Sequence, residues 1–312
     1  MAARKVATED AMRLLTVRHV TVYPYVKPVK LGEHRMMFRP RESHDLRLVR
    51  TQLIILPRPL QVRWLHDVFD NSVAVATFAG ETTKLCFDST VTLEHTEVAL
   101  PDYQLEACAA TFPFSYPVDD QPDLVRALER SEPSEEVDNW ANGMLPRTGR
   151  RETMGLLRTM TLRIQEEFTY SYRGERGVQS PGVTMRSGSG TCRDFAWLMI
   201  DAVRSLGLAA RFVSGYIFVP NAASTEMVGG GSTHAWLQVY LPGAGWVDFD
   251  PTNSIIGNRN LIRVAVAWHP ASVLPLWGTF TGVPGSALNM QVDVTVTEEF
   301  DSSAQTASRG MA

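Results

Sequence analysis

Two different residue patterns divide this chain of 312 residues. In the first hundred residues, short segments rich in Val, Thr, Tyr, Ile and Phe are separated by turn residues, which is typical of the strands of a β-sandwich. A span rich in Pro and Asp follows at residues 111–123, and after it apolar residues recur at helical spacing. The sequence therefore predicts a β-rich unit joined to a unit of another fold class. The predicted N-terminal strands cover residues 15–25, 46–56, 72–78 and 83–93, with a turn at 30–33.

The second pattern predicts helices followed by strands. Residues 156–170 have helical spacing, and a longer helix is expected to begin at Cys192 and to end at Gly207, a suitable C-cap. We predict an α+β protein with an N-terminal β-sandwich domain at residues 12–105 and, at residues 106–300, a domain of helices packed on an antiparallel sheet. An acidic linker would open the second domain, and residues 301–312 would form a disordered tail. The strands expected after the helices cover residues 210–219, 233–241, 246–250, 261–267 and 290–297.

Composition excludes several classes of function. Hydrophobic residues make up 44% of the chain and charged residues 21%, which is typical of a globular protein. A net charge of −4 gives no electrostatic reason to expect nucleic acid as a partner, and no segment has the roughly 20 apolar residues of a membrane helix. Glu9, Asp10 and Arg13 stand where a signal peptide would be apolar, and three cysteines make no disulfide framework. We therefore expect a cytoplasmic protein without a membrane partner.

Cys192 stands at the predicted start of a helix. Thr191 can serve as the N-cap, which places the cysteine at the first helical position. There the free N–H groups and the positive end of the helix dipole favour the thiolate over the thiol. Cys192 also falls on the apolar stripe of Phe195, Ala196 and Met199, so its sulfur should point into the protein. Helix position alone favours a buried structural cysteine, which is the commoner fate of a lone intracellular cysteine, so a catalytic thiol also requires a nearby base.

A predicted hairpin supplies a base and a carboxylate. Residues 233–240 alternate with period two, and the turn at 241–245 leads into residues 246–250. With Gly243 at the turn, Gln238 pairs with Asp248, and His234 lies diagonally beside Asp250 on one face. Asp248 shares that face but is the poorer partner of His234. A sheet histidine and a turn aspartate are ordinary features when taken singly, but together with Cys192 they predict that His234 withdraws the thiol proton and Asp250 orients the imidazole.

Four blocks of this region resemble the core of the bacterial transglutaminase-like superfamily. They are residues 188–196 (GSGTCRDFA), 206–216 (LGLAARFVSGY), 234–236 (HAW) and 245–253 (GWVDFDPTN). The first hundred residues resemble the β-rich N-terminal domain of one bacterial branch, at His19, Tyr23, Tyr25, residues 28–29 (PV), residues 38–40 (FRP) and residues 70–71 (DN). The resemblance implies a papain-like fold with a Cys-His-Asp triad at Cys192, His234 and Asp250.

The resemblance also implies a reaction class. Members are described as transglutaminase-like enzymes or cysteine proteases in which a thiolate attacks an amide carbonyl to give an acyl-enzyme. We therefore expect a cysteine protease or amidase that acts on a peptide or protein, with transamidation and a non-catalytic peptide-binding scaffold as alternatives. The backbone N–H of Cys192 is a suitable oxyanion donor. Relatives usually carry Gly-Arg-Asp where this chain has Ala267, Trp268 and His269, which leaves substrate preference open.

Metal and cofactor chemistry find no support in the sequence. The seven histidines form no metal-binding motif, and the cysteines form no zinc-binding pair. Residues 188–190 (GSG) open a helix but lack the lysine of a P-loop and the third glycine of a dinucleotide site. We expect no cofactor and no metal. The glycine run at 229–232 (GGGS), which precedes His234, is either a loop at the mouth of the cleft or a plain flexible linker.

Overall fold

The computed structural model describes residues 11–97, 103–173, 177–220 and 227–299. The tail predicted at residues 301–312 lies outside the described residues. The helices are α1 (Gln121–Leu128), α2 (Glu135–Asn142), α3 (Thr153–Glu167), α4 (Pro181–Ser187) and α5 (Cys192–Ser205), with a 3-10 turn at Pro270–Ser272. The first strands are β1 (Ala11–Met36), β2 (Leu46–Leu56), β3 (Gln61–His66), β4 (Ser72–Thr77), β5 (Glu81–Glu97), β6 (Thr111–Phe112), β7 (Arg151–Glu152), β8 (Thr169–Tyr170) and β9 (Ser189–Gly190). The later strands are β10 (Ala210–Ile217), β11 (His234–Leu241), β12 (Gly245–Asp250), β13 (Ile255–Ile256), β14 (Leu261–Ala267), β15 (Leu276–Thr281) and β16 (Gln291–Glu298).

The predicted α+β class is confirmed, and the N-terminal strands form one curled sheet. Its main path runs in the order β2-β5-β1-β4-β3, and every pairing is antiparallel. The residues expected to turn at 30–33 remain inside β1, which is 26 residues long, pairs with β5 over most of its length and pairs with β4 near its end. Gly32 lets β15 approach this part of β1, because a Cβ there would lie 2.2 Å from Oγ1 of Thr279 on β15. The sandwich of the sequence prediction thus takes the form of a single sheet bent around its own core.

Two strands from the end of the chain complete this sheet. β16 pairs with β1 from Leu15 to Val22, and β15 pairs with it from Lys30 to Met36. The sequence places residues 290–297 with the second domain and does not predict β15. The pairing differs from that expectation because β5 covers only one edge of the first half of β1, and the other edge needs a partner.

The second sheet is antiparallel and has the order β13-β12-β11-β10-β14. α5 packs on β11 and β10 and is buried on nearly every side, from Cys192 through Arg204. Gly207, at φ +79°, lets the N–H groups of residues 207 and 208 bond back to Arg204 and Val203, so the predicted helix end is confirmed. Helix α3 ends at Glu167, three residues earlier than the spacing of residues 156–170 predicts.

The two sheets share one apolar core. Residues from both, including Leu15, Leu46, Phe218 and Val264, belong to the same buried cluster as the inner face of α5. Asn71 adds polar contacts: its amide donates to the carbonyl of Val266 at 2.8 Å and accepts from the Val266 N–H at 2.9 Å. Because these groups are buried, they fix how β4 and β14 meet. No helix in the described part of the chain is long and apolar enough to cross a membrane.

Candidate active site

Cys192 begins α5, as the sequence predicts. The first helical bond runs from the N–H of Phe195 to the carbonyl of Thr191 at 3.0 Å, so Thr191 is the N-cap. The cysteine is 6% exposed and lies on the buried stripe with Phe195, Ala196 and Met199. The free N–H groups of the first turn therefore surround a sulfur that is shielded from bulk water.

Asp194 anchors the start of this helix. Its carboxylate accepts from the N–H of Thr191 at 2.8 Å and from the N–H of Gln179 at 2.7 Å. Arg173 adds two bonds, from Nε at 2.9 Å and from Nη2 at 2.8 Å. Burial raises the pKa of Asp194, but the Arg173 bond and the backbone donors outweigh burial and lower it. The sequence places Asp194 on an arc away from the cysteine but does not predict this anchoring role.

The hairpin has the predicted register. Gln238 pairs with Asp248 and Tyr240 with Trp246, so the diagonal contact forms between His234 and Asp250. Nε2 of His234 lies 2.8 Å from Oδ2 of Asp250, and the two side chains have no exposed surface. Burial lowers the pKa of His234, but Asp250 and the neighbouring Cys192 thiol outweigh this and raise it to about 10. The raised pKa makes the imidazole basic enough to take the proton of the Cys192 thiol.

The second ring nitrogen of His234 is left for the thiol. Nδ1 has no hydrogen-bond partner among the described residues, and the neighbouring Cys192 helps to raise the pKa of the ring. Gly229, at φ +104°, lies against the same nitrogen, since a Cβ there would be 2.6 Å from Nδ1. A side chain at position 229 would thus displace the imidazole.

The glycine run is held at both ends. Asn253 donates to the carbonyl of Val228 at 3.0 Å and accepts from its N–H at 2.7 Å. The N–H of Val294 on β16 donates to the carbonyl of Gly231 at 3.1 Å. Of the two interpretations of the run, these contacts favour a loop that is part of the site.

Further bonds fix the Asp250 carboxylate. Oδ1 accepts from the N–H of Thr252 at 2.9 Å, and Oδ2 accepts from the amide of Asn253 at 2.8 Å. Burial raises the pKa of Asp250, but His234 and these donors together lower it. The carboxylate is therefore ionised and cannot rotate away from the histidine. As predicted, Asp248 is not the partner of His234.

Tyr170 is a member of the site that the sequence does not predict. Its segment pairs with Ser189 and Gly190, in parallel, and its ring lies edge-on to Phe195 at 6.3 Å. Burial, the charge of Cys192 and a hydrogen bond to that residue all raise the pKa of Tyr170. The side chain is 38% exposed, so the phenol stands between solvent and the nearly buried sulfur.

Residues 267–269 lie away from His234. The His269 ring packs edge-on against Trp197 at 4.9 Å, and its Nδ1 accepts from the N–H of Ala271 at 3.1 Å. The Trp268 carbonyl accepts from Arg204 at 2.9 Å. In the described part of the chain, no three His, Cys, Asp or Glu side chains are grouped so that they could hold a metal ion.

A helix that begins with a cysteine and packs on an antiparallel sheet carrying a His–Asp pair defines the transglutaminase-like class of α+β proteins. Comparison with known proteins agrees with this class. The bacterial transglutaminase-like N-terminal region matches residues 15–94, and the transglutaminase-like superfamily matches residues 146–251. This chain belongs to the transglutaminase-like superfamily.

Individual relatives match over most of the chain. Rv2569c, an uncharacterized protein of Mycobacterium tuberculosis, is 31% identical over 291 residues, which are 89% of this chain and 91% of that protein. ML0607 of Mycobacterium leprae, also uncharacterized, is 34% identical over 123 residues, or 39% of this chain and 43% of its own. A crystal structure from Cytophaga hutchinsonii, named a "Putative Cysteine Protease", has a TM-score of 0.66 and 18% identity, covering 94% of this chain and 93% of its own. At that identity the likeness shows the shared fold.

Proposed function

We propose that this protein is a thiol enzyme that cleaves amide bonds through an acyl-enzyme, as a cysteine protease or amidase. The proposal rests on the different surroundings of the two ring nitrogens of His234. Nε2 lies 2.8 Å from Asp250, whereas Nδ1 has no partner among the described residues and is available to Cys192. The buried His95 also has an unpartnered ring nitrogen, so the feature that distinguishes His234 is the neighbouring Cys192 together with the bond to Asp250.

The proposed reaction moves one proton through Nδ1. The proton passes from the Cys192 sulfur to His234, and the thiolate attacks the carbonyl carbon of the substrate amide. The tetrahedral intermediate collapses as the C–N bond breaks, and Nδ1 returns the proton to the leaving amine. Nδ1 then takes a proton from water, the hydroxide attacks the thioester, and the acid and the free thiol are released. Asp250 keeps the imidazole oriented and stabilises its charged form throughout.

Two donors are available for the oxyanion. The N–H of Cys192 is one, because residues of the first helical turn have no intrahelical acceptor. We assign the second to the hydroxyl of Tyr170, because the neighbouring Cys192 helps to raise the pKa of this phenol and so keeps its proton available for donation. The thiol must be reduced for this chemistry, which fits the cytoplasmic location that the sequence predicts.

The test is a peptide-library screen read by mass spectrometry. The full chain and Cys192→Ala would each be incubated with the library, with and without a primary amine such as methylamine. Cleaved peptides formed only by the parent would support the proposal, and methylamide products would indicate transamidation instead. Identical product profiles for the parent and Cys192→Ala in both arms would contradict an enzyme and favour a peptide-binding scaffold.

A further inference from the structure

Asp248 is a buried carboxylate that the proposed reaction does not use. It lies two residues before Asp250 on the same face of β12 and is 4% exposed. Oδ1 accepts from the indole N–H of Trp236 at 2.6 Å, and Oδ2 accepts from Nη1 of Arg263 at 3.2 Å. Each oxygen thus has a different partner, and the residue joins two groups that do not otherwise bond to each other.

Trp236 links Asp248 to His234. Its indole has no exposed surface and stacks on the His234 imidazole, with ring centroids 5.9 Å apart and 27° between the planes. The indole also packs closely on β10, since a Cβ at Gly215 would be 2.7 Å from Cη2 of the indole. This contact prevents the indole from moving away from the imidazole. Packing sets the plane of the indole, and the bond to Asp248 fixes its rotation within that plane. The indole therefore forms a rigid wall beside the imidazole.

Arg263 links Asp248 to the N-terminal region. Its Nη2 lies 2.5 Å from Oδ1 of Asp45, in the segment between β1 and β2, and 3.0 Å from Oγ of Ser43. The other oxygen of Asp45 accepts from the amide of Asn258 at 2.9 Å. Burial lowers the pKa of Arg263, but Asp248 and Asp45 outweigh it and raise it, so the guanidinium stays charged between two carboxylates.

We propose that Asp248 is a positioning residue for His234, and that the series Asp45–Arg263–Asp248–Trp236 makes the geometry of the candidate active site depend on the docked N-terminal region. This inference rests on the proposed role of His234 as the base. A buried ion pair adds little net stability over apolar packing, but it favours one arrangement strongly, because a displaced partner would leave a buried charge unpaired. Here the Asp248–Arg263 pair fixes the position of the Trp236 indole, and the indole in turn fixes the position of the imidazole.

The proposal predicts an altered pH profile rather than lower stability alone. The titratable groups that act on the imidazole are Asp250 from β12 and Cys192 from α5. If the imidazole moves away from the sulfur, Cys192 must lose its proton to solvent, so its reaction with iodoacetamide should fall at low pH and recover at high pH. A purely structural role for Asp248 would lower the unfolding midpoint and leave this profile unchanged.

The experiment compares iodoacetamide labelling of Cys192 between pH 6 and 10 in the full chain. Asp248→Ala and Trp236→Phe should react about tenfold more slowly than the parent at pH 6.5 and match it at pH 9.5. Asp45→Asn should change the profile in the same direction, and its effect should not add to that of Asp248→Asn, because both act on one network. Tyr216→Phe is the matched control: it removes a buried bond between the two sheets, to His19, that does not lead to His234.

The outcomes separate this inference from the proposed function. If His234→Ala lowers labelling at pH 6.5 but the Asp248 and Trp236 variants follow the parent, Asp248 does not position the histidine. If His234→Ala itself follows the parent, His234 is not the base, and both proposals are wrong. Asp248→Asn keeps an acceptor for the indole but loses the charge that pairs with Arg263, so it should change the labelling profile in the same direction as Asp248→Ala but by less. It keeps the test decisive even if Asp248→Ala does not fold, because a profile equal to that of the parent would contradict the proposal.

Discussion

The hydroxyl of Tyr216 lies 3.0 Å from Nδ1 of His19, in the core between the two sheets. The other nitrogen of His19 lies 3.0 Å from the hydroxyl of Thr21, and the Phe38 ring packs against the imidazole at a tilt, with ring centroids 4.3 Å apart. The ring thus has two uncharged hydroxyls and an aromatic ring around it. Burial lowers the pKa of His19 to about 4, so the contact between the sheets is made by a neutral imidazole.

His19 should make the fold acid-sensitive. An unfolded histidine binds a proton near pH 6.5, whereas folded His19 does so only near pH 4. The unfolded state binds more protons in this window, so the free energy of unfolding should fall by on the order of 3 kcal/mol as pH drops through it. Urea unfolding at several pH values should give a shallower slope for His19→Gln. His44→Gln, at an exposed position, is the control, and equal slopes for His19→Gln and the parent would contradict the prediction.

Cys192 should be alkylated before the other two cysteines at pH 6.5. Accessibility alone gives another order, since Cys108 is exposed and Cys192 is buried. The helix N-terminus and the charged His234 both favour the thiolate at position 192. Peptide mapping after limited iodoacetamide treatment measures the three rates side by side. His234→Ala should slow only Cys192, and faster labelling of Cys108 in the parent would argue against an activated thiol.

Tyr170→Phe should lower kcat/KM by about 100-fold if the phenol serves as an oxyanion donor. The loss should appear in kcat rather than KM, since the bond strengthens as charge develops on the substrate oxygen. Steady-state kinetics on a peptide found in the library screen would measure it. Tyr172→Phe, two residues along and 88% exposed, is the control. Equal kinetics for Tyr170→Phe and the parent would remove Tyr170 from the mechanism.

Asp194→Asn should destabilise the protein and also reduce the reactivity of Cys192. Breaking the buried pair with Arg173 should cost about 3 kcal/mol, and the start of α5 should fray. Because folding lowers the pKa of Asp194, this stabilisation is present above its unfolded value and is lost as pH falls through the folded one. Asp201→Asn breaks a comparable pair with Arg130 farther along the same helix. It should match the loss of stability but not the loss of labelling, and equal labelling losses would contradict the anchoring role.

The central hairpin could be predicted because its information is local. Period-two alternation and a glycine turn fix the register between residues 234 and 250, and register alone brings His234 to Asp250. The capped start of α5 is local in the same way. Both follow from residues that are close together in the chain.

Tyr170 and Asp248 could not be assigned because their partners are distant in sequence. The spacing of residues 156–170 favours a helix throughout, but pairing with Ser189 and Gly190 extends the backbone after Phe168. The hairpin pattern gives the face of Asp248 but not its ion pair, since Arg263 comes from a strand three places away in the sheet. Pairing of β16 with β1 likewise depends on tertiary structure.

The pairing of β16 with β1 determines whether the two halves of this protein can be expressed as separate fragments. β16 contacts β1 along eight residue pairs and, through Val294, holds Gly231 of the loop that backs His234. A fragment beginning after residue 105 would leave β15 and β16 without their partner strand. Neither half should therefore be active when expressed alone, whereas two co-expressed fragments could recover the fold by complementation. The chain changes its residue pattern near residue 105, but its cooperative folding unit extends across that point.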